Sequence, residues 1–297
     1  MLKKAFIILS TQRSGSTLLC KDLASTQCMG NPDEHLLDYL DGRDFNKDEF
    51  YNRCHDKSGN FGLKLMANYL DEAMLMLSKG LGFEGTNLND YLLFLNKTYD
   101  KVVLIYLTRD DYFEQALSRI TAKKTNTWHN LGNDVIQMNG GSTNADDTRA
   151  KRKVVIEQLK VKDINDSVLD ILKENQYLRE VYAGLDDQVC VKFKTNYNEV
   201  VYNYQRLINF IYDGHVTVDR KMKKISSEDD ALRAKEIYFQ TVGKVVSDGC
   251  VNLLRDSAIL LEEFDTFKST LMMQMAHNLR PDGAFIKEKL QEYTSKE

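Results

Sequence analysis

Apolar residues recur along this chain in two rhythms. Ala5-Phe-Ile-Ile-Leu9 and Lys101-Val-Val-Leu-Ile-Tyr-Leu-Thr108 are short continuous runs of β-formers. Such runs predict strands buried on both faces, as in a parallel sheet. Phe61 to Met66 alternates weakly and reads as another strand, and Gln188 to Phe193 as a fourth. Between them apolar residues return every three or four positions, the helical spacing. This predicts helices over Thr17–Leu23, Ala67–Lys79, Leu88–Thr98, Tyr112–Thr125 and Tyr197–Tyr212, with two more in Arg152–Ala183 meeting near Asp163 to Asp166. Ala231–Val245 and Val251–Leu279 close the chain, the last with Leu260, Leu261, Phe264 and Phe267 facing inward. Strands alternating with helices predict an α/β fold, a three-layer α/β/α sandwich around a central, mainly parallel sheet. With only two prolines and no clear linker, residues 1–297 read as one domain, 214–297 being a helical part packed on the core.

Residues 125–150 break the rhythm. The stretch is rich in Asn and Gly, carries the sole tryptophan, Trp128, and is too long for a plain connection. It reads either as a functional lid or as a poorly ordered loop. Trp128 with His129 reads as a platform that stacks a base or sugar ring, or as a hydrophobic anchor pinning the loop.

Composition narrows the classes. At 42% hydrophobic and 28% charged, the chain has an ordinary globular balance, and no apolar run reaches membrane-spanning length. A net charge of −4 argues against non-specific nucleic-acid binding. The apolar part of the N-terminus is too short for a signal h-region, so a cytoplasmic location is expected. Five cysteines without a C-x-x-C pair suggest reduced thiols, and no histidine spacing suggests a metal site.

Two strand ends carry candidate chemistry. After the first strand, Thr11-Gln-Arg-Ser-Gly-Ser16 leads into a helix, so amide donors and the positive end of a helix dipole meet there. Gln12, Arg13, Ser14, Gly15, Ser16 and Thr17 form a candidate cradle for a phosphate or sulfate ester. The same residues also suit a tight turn capped by Ser14 or Ser16. The Walker pattern G-x-x-x-x-G-K-[ST] is absent. At the second strand end, Arg109 precedes another helix, and ligands of open α/β sheets collect at the carboxyl edge. Glu34, after Gly30 and Pro32, reads either as an acid in a helix first turn or as a carboxylate near the cradle. Lys64 reads as snorkelling at a sheet edge or reaching the anion site. Arg220-Lys-Met-Lys-Lys224 reads as a solvated basic turn or a phosphate clamp, and Cys20 as a buried apolar residue rather than a nucleophile.

Ser10-Thr-Gln-Arg-Ser-Gly-Ser-Thr-Leu-Leu19 resembles the 5′-phosphosulfate loop of sulfotransferases. Leu107 to Ser118, with Arg109 at the strand end and Ser118 on the helix, resembles their 3′-phosphate motif. Gln12, Gly30-x-Pro-x-Glu34, Phe61-Gly-Leu-Lys64, Gln115-Ala-Leu-Ser118 and Thr125-x-x-Trp128 are similar to the bacterial trehalose 2-sulfotransferase-like branch. The resemblance covers about the first 130 residues. It departs at Lys194 to Glu199, where many members carry Tyr-Glu-Asp-Leu, and at His35-Leu36, where aromatic residues are common.

The resemblance implies a P-loop-like fold and 3′-phosphoadenosine 5′-phosphosulfate as sulfuryl donor, with no metal. It implies that Arg13 and the amides of Ser14 to Thr17 hold the phosphosulfate, and that Arg109 and Ser118 hold the 3′-phosphate. Glu34 would be the general base, with His35 in reserve, and Lys223 and Lys224 would lie near the 3′-phosphate. The implied acceptor is a hydroxyl, by family weighting that of a carbohydrate, and the resemblance allows a homodimer. Two other readings stand beside it: a small-molecule kinase, and a nucleotide-binding protein without catalysis.

Overall fold

The computed structural model describes residues 2–130, 135–138, 141–222, 228–245, 248–263 and 266–295. In chain order it opens with β1 (Lys4–Ser10), α1 (Ser16–Ser25), α2 (Leu37–Leu40), α3 (Lys47–Cys54), β2 (Phe61–Met66), α4 (Leu70–Leu81) and α5 (Leu88–Leu95). β3 (Lys101–Thr108), α6 (Tyr112–Thr125), β4 (Thr127–Asn130), β5 (Val135–Met138), β6 (Gly141–Asn144) and α7 (Ala145–Glu157) follow. The chain continues through α8 (Val161–Ala183), β7 (Val191–Asn196), α9 (Tyr197–Tyr202) and α10 (Tyr204–Tyr212). It closes with α11 (Glu228–Val245), α12 (Asp248–Leu261), α13 (Thr266–Leu279) and α14 (Ala284–Thr294).

The two continuous apolar runs become β1 and β3, the middle of a four-stranded sheet in the order β2-β1-β3-β7, all pairs parallel. β1 is central, and successive side chains leave opposite faces. Ala5, Ile7 and Leu9 join one core with Met74, Leu77, Leu92 and Leu178. Phe6 and Ile8 join another with Leu19, Cys20, Leu23, Val200 and Ile208. Helices therefore cover both faces, which is why β1 and β3 show no polar alternation. Register sets Ser10 opposite both Met66 and Leu107. The carboxyl ends of β1, β2 and β3 thus finish level, and the 11–15 loop and Arg109 leave from one edge.

The α-carbon contacts divide the chain into two compact units, Met1–Gln158 with Lys162–Ala231, and Leu159–Val161 with Leu232–Glu297. The first holds the sheet. In the second, α12, α13 and α14 pack around Val251, Ala258, Met273, Ala276, Ile286 and Tyr293, and Ser269 donates to the Ala258 carbonyl at 2.7 Å.

Several boundaries differ from the periodic reading. The expected join near Asp163 to Asp166 lies inside α8, and the break falls at 158–160 instead. The helix expected over Tyr197–Tyr212 is interrupted at Asn203, and that over Val251–Leu279 is two helices. Leu260 does not face inward but is 75% exposed. Helical spacing marks an apolar stripe and cannot mark where the backbone stops. The described residues within 125–150 carry secondary structure. β4, β5 and β6 form an antiparallel three-stranded sheet, and α7 begins at Ala145. The side chains of Trp128 and His129, and residues Lys223 and Lys224, lie outside what is described.

Candidate functional site

The loop after β1 is shaped by two left-handed residues. Arg13 has φ 64° and Gly15 has φ 92°. A Cβ on Gly15 would stand 2.7 Å from the Tyr197 ring, so both its conformation and its space require glycine. Gly15 is also the N-cap of α1, and no side chain caps that helix. The expected cap by Ser14 or Ser16 is therefore not made. Leu19 N–H is the donor to the Gly15 carbonyl, so the amides before it have no intrahelical acceptor.

Buried partners hold this loop from β3 and α6. Gln115, fully buried, donates to Thr11 Oγ1 at 2.8 Å and to the Gln12 carbonyl at 2.7 Å. Arg13 Nε donates to Ser118 Oγ at 3.0 Å, and Arg109 Nη1 donates to the Arg13 carbonyl at 3.2 Å. Arg109 is buried, pairs with Glu114 at 3.1 Å and lies 4.3 Å from the Tyr197 ring centre. Arg13, Arg109 and Ser118, 105 positions apart at the extreme, are thus brought together. Ser118 contacts Arg13 rather than Arg109.

A third arginine, not singled out by the sequence reading, joins them. Arg152 on α7 is 2% exposed, lies 3.4 Å from Asp230, and its Nη2 is buried without a hydrogen-bond partner. Burial and the charges of Arg152 and Arg109 pull the Arg13 pKa down to about 10. Cations crowded to that degree are relieved by an anion among them. Ser14 Oγ, Gln12 Oε1, Gln115 Oε1 and Arg109 Nε are also buried without partners. An uncapped helix start, orphaned polar atoms and gathered arginines fit an anion. Tyr197 had no chemical signal of its own, and Gln115 stood only within the run Gln115 to Ser118 that carried the resemblance, since their contacts lie far away in sequence.

Glu34 reaches the same edge by backbone packing. Gly30 has φ 72°, and a Cβ there would meet the backbone of Phe61 and Gly62 at 2.3 Å. Residues 30–34 therefore lie directly against β2, and Lys64 N–H donates to the Asp33 carbonyl at 3.1 Å. Helix α2 starts only at Leu37, so Glu34 is not the first-turn acid of a helix opened by Pro32. Lys64, although on the edge strand, does not snorkel: it is 1% exposed, 2.7 Å from Glu34 Oε1 and 3.9 Å from Asp33. Its ammonium also donates to Thr17 Oγ1 at 3.0 Å. An ammonium only donates, so the Thr17 hydroxyl keeps its own proton to give elsewhere. His35 Nε2 meets the Asn31 carbonyl at 2.7 Å, and burial lowers the His35 pKa.

Burial acts alone to raise the Asp33 pKa, but Lys64, Lys21 and the Glu34 amide outweigh it and bring it from 3.8 to about 2. The folded state thus favours ionised Asp33. Its contribution to stability is complete above pH 3.8 and disappears as pH falls through 2. Urea unfolding followed between pH 4 and pH 2 should be less steeply pH-dependent in Asp33→Asn than in the wild type.

Burial pushes the Cys20 thiol up to about 12, which keeps it protonated and removes it as a nucleophile. Arg220, expected in a basic turn, is instead pinned: its Nε donates to both carboxylate oxygens of buried Asp22 at 3.1 Å. Among the described residues no cluster of His, Cys, Asp and Glu could hold a metal ion, and no helix is long and apolar enough to cross a membrane.

No curated protein matches the chain. Residues 5–48 and 40–162 match the model of the Stf0 sulphotransferase family, a span that contains the cradle, Glu34, Lys64, Arg109, Ser118 and Arg152. Covering more than half of the sequence, this match places the chain in the Stf0 sulphotransferase family.

Proposed function

We propose that the protein transfers a sulfuryl group from 3′-phosphoadenosine 5′-phosphosulfate to a hydroxyl of a carbohydrate, with Glu34 as general base. The trehalose 2-sulfotransferase-like branch is the narrower form of this reading. The observation that carries it is the meeting of Arg13, Arg109 and Ser118 at the ends of two parallel strands, beside the uncapped start of α1.

When bound, the donor supplies the sulfuryl group, whose bond to the bridging phosphate oxygen breaks as the acceptor oxygen bonds to sulfur, the electron pair leaving with the bisphosphate. Amides of Ser14 to Thr17, with the hydroxyls of Ser16 and Thr17, hold the phosphosulfate oxygens, and Gln12 lines the loop. The Arg13 guanidinium, planar and charged, spreads over the charge that develops on the departing oxygen. Arg109 and Ser118 hold the 3′-phosphate. Fixing both anionic ends orients the sulfur, and positioning with charge stabilisation supplies most of the rate, as in phosphoryl transfer. Glu34 takes the proton of the acceptor hydroxyl. His35 is the reserve base: with its Nε2–H donating to the Asn31 carbonyl, Nδ1 is the nitrogen that would take the proton.

Calorimetric titration with adenosine 3′,5′-bisphosphate, paired with transfer of labelled sulfate to a panel of sugars, tests the reading. Arg13→Ala should weaken bisphosphate binding and lower turnover by ~10²–10³-fold, the usual effect of losing one stabilising donor. Binding of ATP with magnesium but not of the bisphosphate would instead indicate a kinase. Bisphosphate binding without sulfation of any alcohol would indicate a protein that kept the cradle and lost the chemistry.

A further inference from the structure

Lys64 is the one charged side chain in the central sheet that is buried to 1%, and its ammonium has two different kinds of neighbour. On one side lies Glu34 Oε1 at 2.7 Å, on the other Thr17 Oγ1 at 3.0 Å. The surrounding titratable groups are Asp33 at 3.9 Å, itself paired with Lys21 at 2.7 Å, Cys20, and Tyr69, whose hydroxyl lies 3.5 Å from the Lys64 carbonyl oxygen. The Lys64 amine is pulled down by burial, but the charges of Glu34 and Asp33 and the hydrogen bond to Glu34 raise it above its ordinary value, so it stays an ammonium.

A solvated surface pair would need none of this. Placing a lysine at a fully buried position costs several kcal/mol of lost hydration unless good hydrogen bonds compensate. Here it has both an anion and a hydroxyl, and the backbone contact of Gly30 with Gly62 fixes their approach. The two oxygens of Glu34 are consequently unequal. Oε1 is held by Lys64, while Oε2 has a 3.5 Å contact with the Tyr69 hydroxyl, long for a hydrogen bond.

We infer that Lys64 is a positioning residue that links the donor cradle to the base. It anchors Glu34 through Oε1, leaves Oε2 as the oxygen that accepts the acceptor's proton, and ties that carboxylate to Thr17 at the start of α1. In the transfer step the acceptor O–H bond breaks and the proton bonds to Glu34 Oε2, while the freed pair of the acceptor oxygen bonds to sulfur as the bond from sulfur to the bridging phosphate oxygen breaks, its pair leaving with the bisphosphate. The inference rests on the general-base reading of Glu34.

A double-mutant cycle over E34Q and K64M tests it, with kcat for sulfation and the dissociation constant of the bisphosphate measured for each protein. Lys64→Met should forfeit most of the ~10²–10⁴-fold that a general base supplies, with a far smaller loss of bisphosphate affinity. Lys64→Arg, which keeps a cation for Glu34, should recover part of that turnover. In the E34Q background K64M should cost no more than about twofold further, because the group it acts through is already gone. E34Q/K64M buries neither charge alone, so the comparison with E34Q stands even where K64M by itself does not fold. Equal losses from K64M in both backgrounds would make Lys64 a structural residue only. Wild-type turnover in K64M together with an inactive E34Q would overturn this inference and leave the base reading intact. Wild-type turnover in E34Q would overturn the base reading itself.

Discussion

Glu34→Gln is expected to lower turnover by ~10²–10⁴-fold while bisphosphate affinity stays unchanged. The substitution keeps the shape of the side chain and an acceptor oxygen for Lys64 at the 2.7 Å position. It removes the ability to take a proton. Arg13, Arg109, Ser118 and the start of α1 do not depend on that charge, so the anion site should remain. Single-turnover measurement with saturating donor separates the chemical step from product release. The opposite pattern, an unchanged rate with a lower melting temperature, would mean that the Glu34–Lys64 pair serves only the fold. The contrast is sharp because Lys64 is buried: removing the carboxylate charge leaves an ammonium with Asp33 at 3.9 Å as its nearest remaining anion.

The second large effect concerns stability. Asp22→Ala is expected to destabilise the sheet-bearing unit by about 3–5 kcal/mol, the cost of breaking a buried pair and leaving one charge behind. Asp22 is 1% exposed on α1. Arg220 donates through Nε to both its oxygens and also donates to the carbonyls of Val201 at 3.0 Å and Val200 at 2.6 Å. Its guanidinium lies 3.7 Å from the Tyr204 ring centre. One side chain thus joins α1, α9 and α10. Chemical denaturation of Asp22→Ala and of Asp22→Leu/Arg220→Leu distinguishes charge from packing: the apolar pair should recover a large part of the loss. Failure of the double variant to recover would mean that the carbonyl bonds and the ring contact carry the stability.

Arg220 also illustrates where local reading stops. Four cations in Arg220 to Lys224 look alike in sequence. Arg220 differs from them because an aspartate 198 positions away faces it across the core. No period or composition within the segment carries that information.

The same line divides the candidate site. The parallel sheet was legible in the apolar runs, because a strand buried on both faces cannot alternate. The placement of Arg13 and Arg109 at one edge followed from strand direction, since parallel strands end together. Both are properties of short segments. The Glu34–Lys64 pair, the convergence of Arg152 with Arg13, and the hold of Gln115 on the loop are of another kind. They arise where segments far apart in the chain pack at van der Waals distance, as Gly30 does on Gly62. Residues 125–150 belong here too: strand pairing gives their short segments a structure that none specifies alone. By itself, then, the sequence determined the parallel sheet, the small-residue turn and the two strand-end arginines, through local periodicity and backbone sterics. Only the tertiary structure decided which charges meet and which are buried, because desolvation and Coulomb energies depend on neighbours that chain order does not reveal.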